Sequence, residues 1–147
     1  MLRVYAIVVL LLCSNFLKAQ DGSGTLRQKQ LFSTLSDKFQ LSSTNFDLVF
    51  SRQPGDTVLI YFTAWPVMAG VITEKVPRQG NDLSMNIRLI NFSNALLSIT
   101  RTFDSYNNAV YQGLIVHPDY ADAFLVKTHE SGSVELVKKQ LDKILVE

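Results

Sequence analysis

The chain has 147 residues, 47% of them hydrophobic, and its 14 lysine and arginine residues almost balance its 13 aspartate and glutamate residues, for a net charge of +1. A near-neutral chain lacks the basic electrostatic footprint of a nucleic-acid-binding protein, so we expect no nucleic-acid partner. The single cysteine, Cys13, excludes a framework of intrachain disulfides, and stability must therefore come from a hydrophobic core.

The N-terminus has the pattern of a secretory signal peptide, predicted over residues 1–20. One basic residue precedes an apolar run, Val4 to Leu12, and a small residue follows at Ala19. The run is shorter than the roughly 20 residues that cross a bilayer. We therefore expect an exported protein, periplasmic or extracellular, with no transmembrane segment after the signal is removed. A lipoprotein acylated at Cys13 is an alternative, although the residue before it is a leucine rather than a small residue.

Behind the signal peptide, the sequence predicts a flexible leader over residues 21–24 (Asp-Gly-Ser-Gly) and a single domain over residues 25–147. Phe32, Leu35 and Phe39 recur at helical spacing, which predicts an N-terminal helix from Thr25 to Phe39.

Strand patterns follow this helix. Phe46, Leu48 and Phe50 alternate with polar residues, and a Pro-Gly turn separates them from residues 57–63. Apolar side chains occupy both faces of residues 57–63, which predicts a central strand covered on both sides. Another strand is predicted over residues 67–76, followed by a loop over residues 77–82.

Residues 83–103 fit two descriptions. Alternating apolar positions predict two strands joined by a turn near residues 91–94. The spacing of Met85, Leu89, Phe92 and Leu96 also makes a helical stripe, so an extra helix around residues 83–94 is the alternative. Asparagine, serine, threonine and isoleucine are mediocre helix formers, which favours the strands.

The remaining chain predicts strands over residues 109–116 and 123–128, with turns at residues 104–108 and 117–120. A final helix is predicted after Ser133, with a buried stripe that starts at Val134 and Val137. These elements make an α+β domain: a mostly antiparallel sheet of about 5–7 strands, flanked by an N-terminal and a C-terminal helix.

No catalytic or metal-binding pattern emerges, and we expect no cofactor and no metal. His117 and His129 follow two strands that would pair as a hairpin, so they would lie at opposite ends of it, too far apart to share a metal ion. Ser133 lacks the context of a nucleophile elbow and is interpreted as a helix cap.

The segment Ala64–Met68 is the strongest indication of function, because it places apolar residues in a connection between two predicted strands, where polar residues are usual. Trp65, Pro66 and Met68, together with Tyr61, are the candidate binding residues, against the alternative that Trp65 folds over the core. Arg101 shares the predicted inner face of its strand, which makes it a candidate for binding an anion unless it extends outward to solvent.

Together these features predict a small exported, non-catalytic domain that binds a protein partner or an apolar small molecule. Two alternatives remain open at this point. One is a small histidine-dependent hydrolase, in which His117 or His129 works with a nearby carboxylate. The other is a secreted inhibitor or an accessory subunit of the cell envelope that presents a single loop.

Overall fold

The computed structural model of the chain describes residues 29–62, 65–129 and 131–144. The predicted signal peptide and leader therefore lie outside the described residues. The described part contains one antiparallel sheet of eight strands and two short helices. The strands are β1 (Lys38–Leu41), β2 (Thr57–Phe62), β3 (Trp65–Pro77), β4 (Leu83–Leu89), β5 (Ala95–Phe103), β6 (Ala109–Val116), β7 (Asp122–Thr128) and β8 (Val134–Gln140). Helix α1 (Ser43–Phe50) connects β1 to β2, and helix α2 (Leu141–Ile144) follows β8.

The strands form a nearly closed barrel. From β2 to β8 each strand pairs with the next one in sequence, and β1 pairs with β8, so the order around the sheet is β1-β8-β7-β6-β5-β4-β3-β2. The two ends of this order lie side by side, with the rings of Phe39 in β1 and Phe62 in β2 6.1 Å apart. Rolling up a sheet in this way protects its edges from pairing with other chains.

Side chains fill the barrel, because alternate residues of each strand point inward. On β2, Val58 and Ile60 are buried while Leu59 and Tyr61 are exposed. Apolar residues from all eight strands and from α1 form one continuous core. The interior is therefore a packed core.

Helix α1 covers one end of the barrel, here called the α1 end. Phe46, Val49 and Phe50 are its buried residues, at the i, i+3, i+4 spacing of one helix face. Lys75 lies on β3 beneath the helix, and its Nζ donates to the carbonyl oxygens of Phe50 and Arg52, each at 2.8 Å. Carbonyls at the end of a helix lack partners within the helix, so this lysine completes the C-terminus of α1.

Residues 29–37 cover the opposite end, here called the Phe32 end. Phe32 is fully buried there, with its ring 4.9 Å from that of Phe124 and 5.9 Å from that of Phe92. The buried carboxylate of Asp122 accepts hydrogen bonds from the backbone N–H groups of Leu31 and Phe32, each at 2.7 Å. An irregular segment is thus fixed by one ring and one carboxylate.

The predicted α+β class is wrong, because eight antiparallel strands dominate the described chain and its helices are short. The predicted N-terminal helix is absent from the described part of its range: residues 29–37 form turns and bends, and residues 38–41 form β1. The buried residues Phe32 and Phe39 lie seven positions apart. They therefore fit a helical stripe, although both rings pack on Phe124, one from an irregular segment and the other from a strand.

Residues 46–50 form most of α1 rather than a strand. Phe46, Leu48 and Phe50 would share one face of a strand, but Leu48 is 64% exposed while Val49 is buried. The buried residues Phe46, Val49 and Phe50 recur at helical spacing. Phe46 and Phe50 fit the spacing of a strand as well, which is why the sequence also predicts a strand here.

The predicted C-terminal helix is also wrong, since residues 134–140 form β8 and only the turn at residues 141–144 is helical. Val134 and Leu136 are buried at strand spacing between β1 and β7. Backbone pairing on both sides outweighs a helical stripe in a segment this short.

Within residues 83–103 the two-strand prediction is confirmed, and the extra helix around residues 83–94 is not present. The prediction that β2 is a central strand covered on both sides is wrong. It stands at one end of the strand order, and Leu59 and Tyr61 on its outer face are 48% and 51% exposed.

Candidate functional site

The five candidate binding residues do not form one cluster. Tyr61 points out of the barrel, whereas Met68 is fully buried inside it. Trp65 begins β3 and pairs with Phe62 through the backbone, but the side chains of Trp65 and Pro66 lie outside the described part of the structure. A binding role for these residues stays a prediction.

Tyr61 belongs to a larger exposed surface on the outer side of β2, β3, β4 and β5, which sequence reasoning missed. Its large apolar members are Leu59 (48% exposed), Tyr61 (51%), Ile90 (53%) and Leu96 (39%), and Arg88 is exposed among them. We call these five residues the β2–β5 surface. Leu59 and Tyr61 are its signal in the sequence, because they share one face of a predicted strand, but the prediction that this face is covered is wrong.

Strand register places these side chains side by side. Leu59 faces Ala69 across β2 and β3, and the N–H of Ile90 donates to the carbonyl of Ala69 at 2.9 Å. Arg88 faces Leu96 across β4 and β5. Neighbouring strands are about 4.8 Å apart, so the surface extends roughly 15 Å across the sheet. These residues therefore form a contiguous apolar surface.

Arg88 gives this surface a positive charge. In the described residues its side chain has no ion pair and no hydrogen bond, whereas Lys38 and Lys138 both pair with carboxylates. A guanidinium presents donors in a planar fork that matches a carboxylate. The arrangement can therefore accept a carboxylate that is flanked by apolar groups.

Arg101 lies at the α1 end, away from Tyr61. Its guanidinium carbon lies 5.2 Å from the centre of the Phe50 ring and 5.4 Å from that of Phe103. Its Nε is buried and has no hydrogen-bond partner among the described residues. Stacking on two rings accounts for its position, and the predicted binding of an anion stays a prediction.

Tyr111 is the central polar group below α1, and its hydroxyl donates to Oδ1 of Asp47. Burial raises the pKa of Tyr111 above its ordinary value of 10.0, and the hydrogen bond to Asp47 raises it further, while Arg101 opposes the shift without reversing it. The hydroxyl therefore stays protonated near neutral pH. It acts as a hydrogen-bond donor that ties α1 to β6.

The two histidines lie at opposite ends of the hairpin, because His117 follows β6 and His129 follows β7, and these strands are antiparallel. Nδ1 of His117 lies 3.9 Å from the exposed carboxylate of Asp119. Nε2 of His129 lies 3.1 Å from Oε2 of Glu135. This geometry gives two separate pairs, each of one histidine and one carboxylate.

Glu135 is the centre of a small charged network at the α1 end, bonded to His129 and 3.5 Å from Nζ of Lys38. Burial raises the pKa of Glu135, but the hydrogen bond and charge of His129 and those of Lys38 together lower it more. Its pKa therefore lies below the ordinary value of 4.5. The carboxylate is ionised at neutral pH and links β8 to β1 and to the loop after β7.

Within the described ranges, no group of three or more histidine, cysteine, aspartate or glutamate side chains is placed to hold a metal ion. None of the helices in the described part of the chain combines the length and the hydropathy needed to cross a membrane.

Comparison with known proteins finds no match, whether among protein-family models, curated proteins or solved structures.

Proposed function

We propose that this chain is an exported, non-catalytic domain that binds a protein partner through the β2–β5 surface. One observation carries the proposal: four large apolar side chains, each 39% exposed or more, share the outer face of β2 to β5 with an arginine that has no partner in the described structure. Contiguous apolar surface of this kind is typical of interaction sites.

The composition of the surface supports a protein partner. Tyrosine and arginine are, with tryptophan, enriched among the residues that contribute strongly to binding, and the β2–β5 surface contains Tyr61 and Arg88. A stable interface buries about 800 Å² on each partner, which exceeds a surface of this width. The β2–β5 surface would therefore form the centre of an interface with a polar rim.

Charge complementarity specifies the partner further. Arg88 sits between apolar neighbours, so burying it without a counter-ion would be costly. The matching surface is a protein segment with one aspartate or glutamate flanked by apolar side chains. The carboxylate would pair with Arg88, and the flanking residues would pack on Leu59 and Leu96.

A packed interior favours a protein over an apolar small molecule. Bound inside the barrel, an apolar ligand would have to displace core residues such as Ile60, Met68 and Tyr111, which are between 0% and 1% exposed. Densely packed cores tolerate added volume poorly. The pattern of residues 1–20 supports the export part of the proposal.

A histidine-dependent hydrolase is the second candidate, and the His129–Glu135 pair is the observation that favours it. The imidazole is half exposed, and Nε2 is already bonded to the carboxylate. The nearby hydroxyls of Ser131 and Ser133 bond to each other at 2.9 Å. In the described residues neither hydroxyl is bonded to His129, which makes the hydrolase the weaker of the two candidates.

The proposal is tested by selecting random displayed peptides on the protein purified after expression of the full chain. We expect the selected peptides to combine apolar residues with one aspartate or glutamate. Leu96→Asp should abolish their binding. Leu48→Asp is the matched control, because Leu48 is also an exposed leucine but lies on α1. It should leave binding unchanged.

A charge exchange sharpens the test. Arg88→Glu should lower the affinity for the selected peptides by about 10-fold or more, which corresponds to the loss of one charged hydrogen bond. Replacing the peptide's acidic residue with lysine should restore binding to this variant. If the peptides bind to Leu96→Asp and Arg88→Glu as tightly as to the unchanged protein, the β2–β5 surface is not the binding site.

Self-association that is lost in both variants would identify a second copy of this chain as the occupant and contradict a distinct partner. If His129→Ala abolishes a measured hydrolysis, the protein is an enzyme.

A further inference from the structure

A polar depression lies at the α1 end, apart from the β2–β5 surface. Its volume is about 660 Å³, within the roughly 300–1,000 Å³ of ligand sites. The start of α1, the turn between β5 and β6 and the loop between β7 and β8 surround it. Its lining residues with polar side chains are Ser43, Asp47, Asp104, Asn107, Asn108, Thr128, His129 and Ser131.

The lining chemistry excludes several kinds of ligand. No lysine or arginine is among the described residues that line the depression, and two carboxylates are, so an anion would be repelled. An apolar ligand would cover polar groups without giving them hydrogen bonds, which is costly. The side chains of Ser43 and Asn107 have no hydrogen bond among the described residues, and the second carboxylate oxygen of Asp47 is likewise without one. A ligand rich in hydroxyl groups could satisfy all three, because a hydroxyl both donates and accepts.

The turn between β5 and β6 contributes Asp104, Asn107 and Asn108 to the lining of the depression, and it carries Tyr106 between them in the chain. Asp104 accepts hydrogen bonds from the backbone N–H groups of Tyr106 and Asn108, each at 2.8 Å, and from the amide of Asn108 at 3.1 Å. Asn107 has a positive φ of 64° in the middle of this network. The turn is therefore held in one shape before any ligand arrives.

Tyr106, in the same turn, is 85% exposed, the highest value among the exposed large hydrophobic residues. A ring held in water by a fixed turn has no packing role in the fold. Tyr106 does not itself line the depression, but its neighbour in the chain, Asn107, does, so a flat apolar ring stands one residue from the lining groups. A sugar ring has the complementary structure, with C–H groups on one face and hydroxyls around its edge.

We propose that this depression is a saccharide-binding site, in which Asn107, Ser43 and Asp47 bond to hydroxyl groups and Tyr106 stacks on the sugar ring. The ligand class is a neutral mono- or oligosaccharide. The site lies at the α1 end, whereas Tyr61 lies on the strand that leads away from it, so saccharide binding and the proposed protein binding are independent.

The test is a titration of the ¹⁵N-labelled protein, purified after expression of the full chain, with glucose, galactose, mannose and N-acetylglucosamine. We expect at least one sugar to shift backbone amide signals of residues 104–110 and 128–132 in a saturable way. Asn107→Gly removes the amide and keeps a residue that tolerates positive φ. It should weaken binding about 2- to 10-fold, as should Tyr106→Ala.

Asn81→Gly is the matched control, because Asn81 is an exposed asparagine in the neighbouring loop between β3 and β4 and does not line the depression. It should leave the affinity unchanged. If none of the four sugars shifts these signals, or if Asn107→Gly and Tyr106→Ala bind as the unchanged protein does, the proposal is wrong. Shifts caused by butylamine alone would identify a cationic ligand and overturn it as well.

Discussion

Oδ2 of Asp122 accepts a 2.7 Å hydrogen bond from the backbone N–H of Phe32, 90 residues earlier in the chain. Oδ1 of the same carboxylate accepts the N–H of Leu31 at the same distance. Asp122 is the one charged residue that is buried in the described part of the structure. Both of its oxygens are therefore used to hold an irregular segment over the Phe32 end.

This relationship predicts the effect of Asp122→Asn. An amide offers one acceptor oxygen, so one of the two backbone N–H groups loses its partner. We expect the free energy of unfolding to fall by about 1–3 kcal/mol, the cost of an unsatisfied buried donor. Urea denaturation measures it. Asp119→Asn is the control, because that side chain is 81% exposed at the same end, and it should have little effect. Equal stability of the two variants would contradict the role given to Asp122.

Tyr111→Phe tests the bond between α1 and β6 through its pH dependence. The folded pKa of Tyr111 is raised, so its stabilising contribution is complete below the unfolded value of 10.0 and is lost as the pH rises toward the folded value. In that range the unfolded chain releases a proton that the folded chain keeps. Stability should therefore fall by about 1.4 kcal/mol per pH unit.

Tyr111→Phe should lack this alkaline decrease. Denaturation midpoints measured from about pH 8 upward should therefore change less with pH in this variant than in the unchanged protein. Tyr106→Phe is the control, since Tyr106 is 85% exposed and should keep the profile of the unchanged protein. Matching profiles for Tyr111→Phe and the unchanged protein would show that the hydroxyl ionises freely in the fold.

Glu135 predicts a second pH dependence, on the acid side. Its folded pKa is lowered, so its contribution is present above the unfolded value of 4.5 and is lost as the pH falls through the folded value. Glu135→Gln should reduce the acid-induced loss of stability, measured by urea denaturation across that range. His129→Ala should have a similar effect, because it removes the partner 3.1 Å away. An unchanged acid profile in both variants would contradict the network.

Gly113 lies where β5 and β6 leave no room for a side chain. It faces Ile99 across β5 and β6, and a Cβ at this position would lie 2.3 Å from the carbonyl oxygen of Ser98. Gly113→Ala must push the backbones apart, and we expect a loss of about 1–3 kcal/mol in a thermal or urea unfolding experiment. Gly70→Ala is the comparison, because its shortest contact is with a side-chain methyl group of Ile87. It should cost less, and the reverse order would contradict this explanation.

Much of the strand arrangement was predictable because hairpins are local. Residues 83–103 alternate apolar and polar side chains around a turn, and the turns at residues 104–108 and 117–120 occur where expected. Segments whose apolar residues fit the spacing of a helix as well as that of a strand were not predictable. Val134 fits both a helical stripe with Val137 and a strand face with Leu136, and pairing of β8 with β1 and β7 decides between them.

The β2–β5 surface was likewise predictable only where its residues are close together in sequence. The sequence shows that Leu59 and Tyr61 share one face of a strand. Whether that face is covered depends on where β2 stands in the sheet. Arg88 and Leu96 become neighbours of that face only through the register of β3, β4 and β5. No local pattern contains this information, because cross-strand contacts join residues far apart in sequence.

By itself, the sequence determined the local elements of this protein: the alternation of β4 to β7, the turns between them and the apolar content that a core requires. Only the tertiary structure decided that the sheet curls until β1 lies beside β2, that α1 and Phe32 cover the two ends, and which apolar faces remain exposed. The physical reason is that periodicity records which residues share a face, whereas burial depends on what the closed sheet brings against that face.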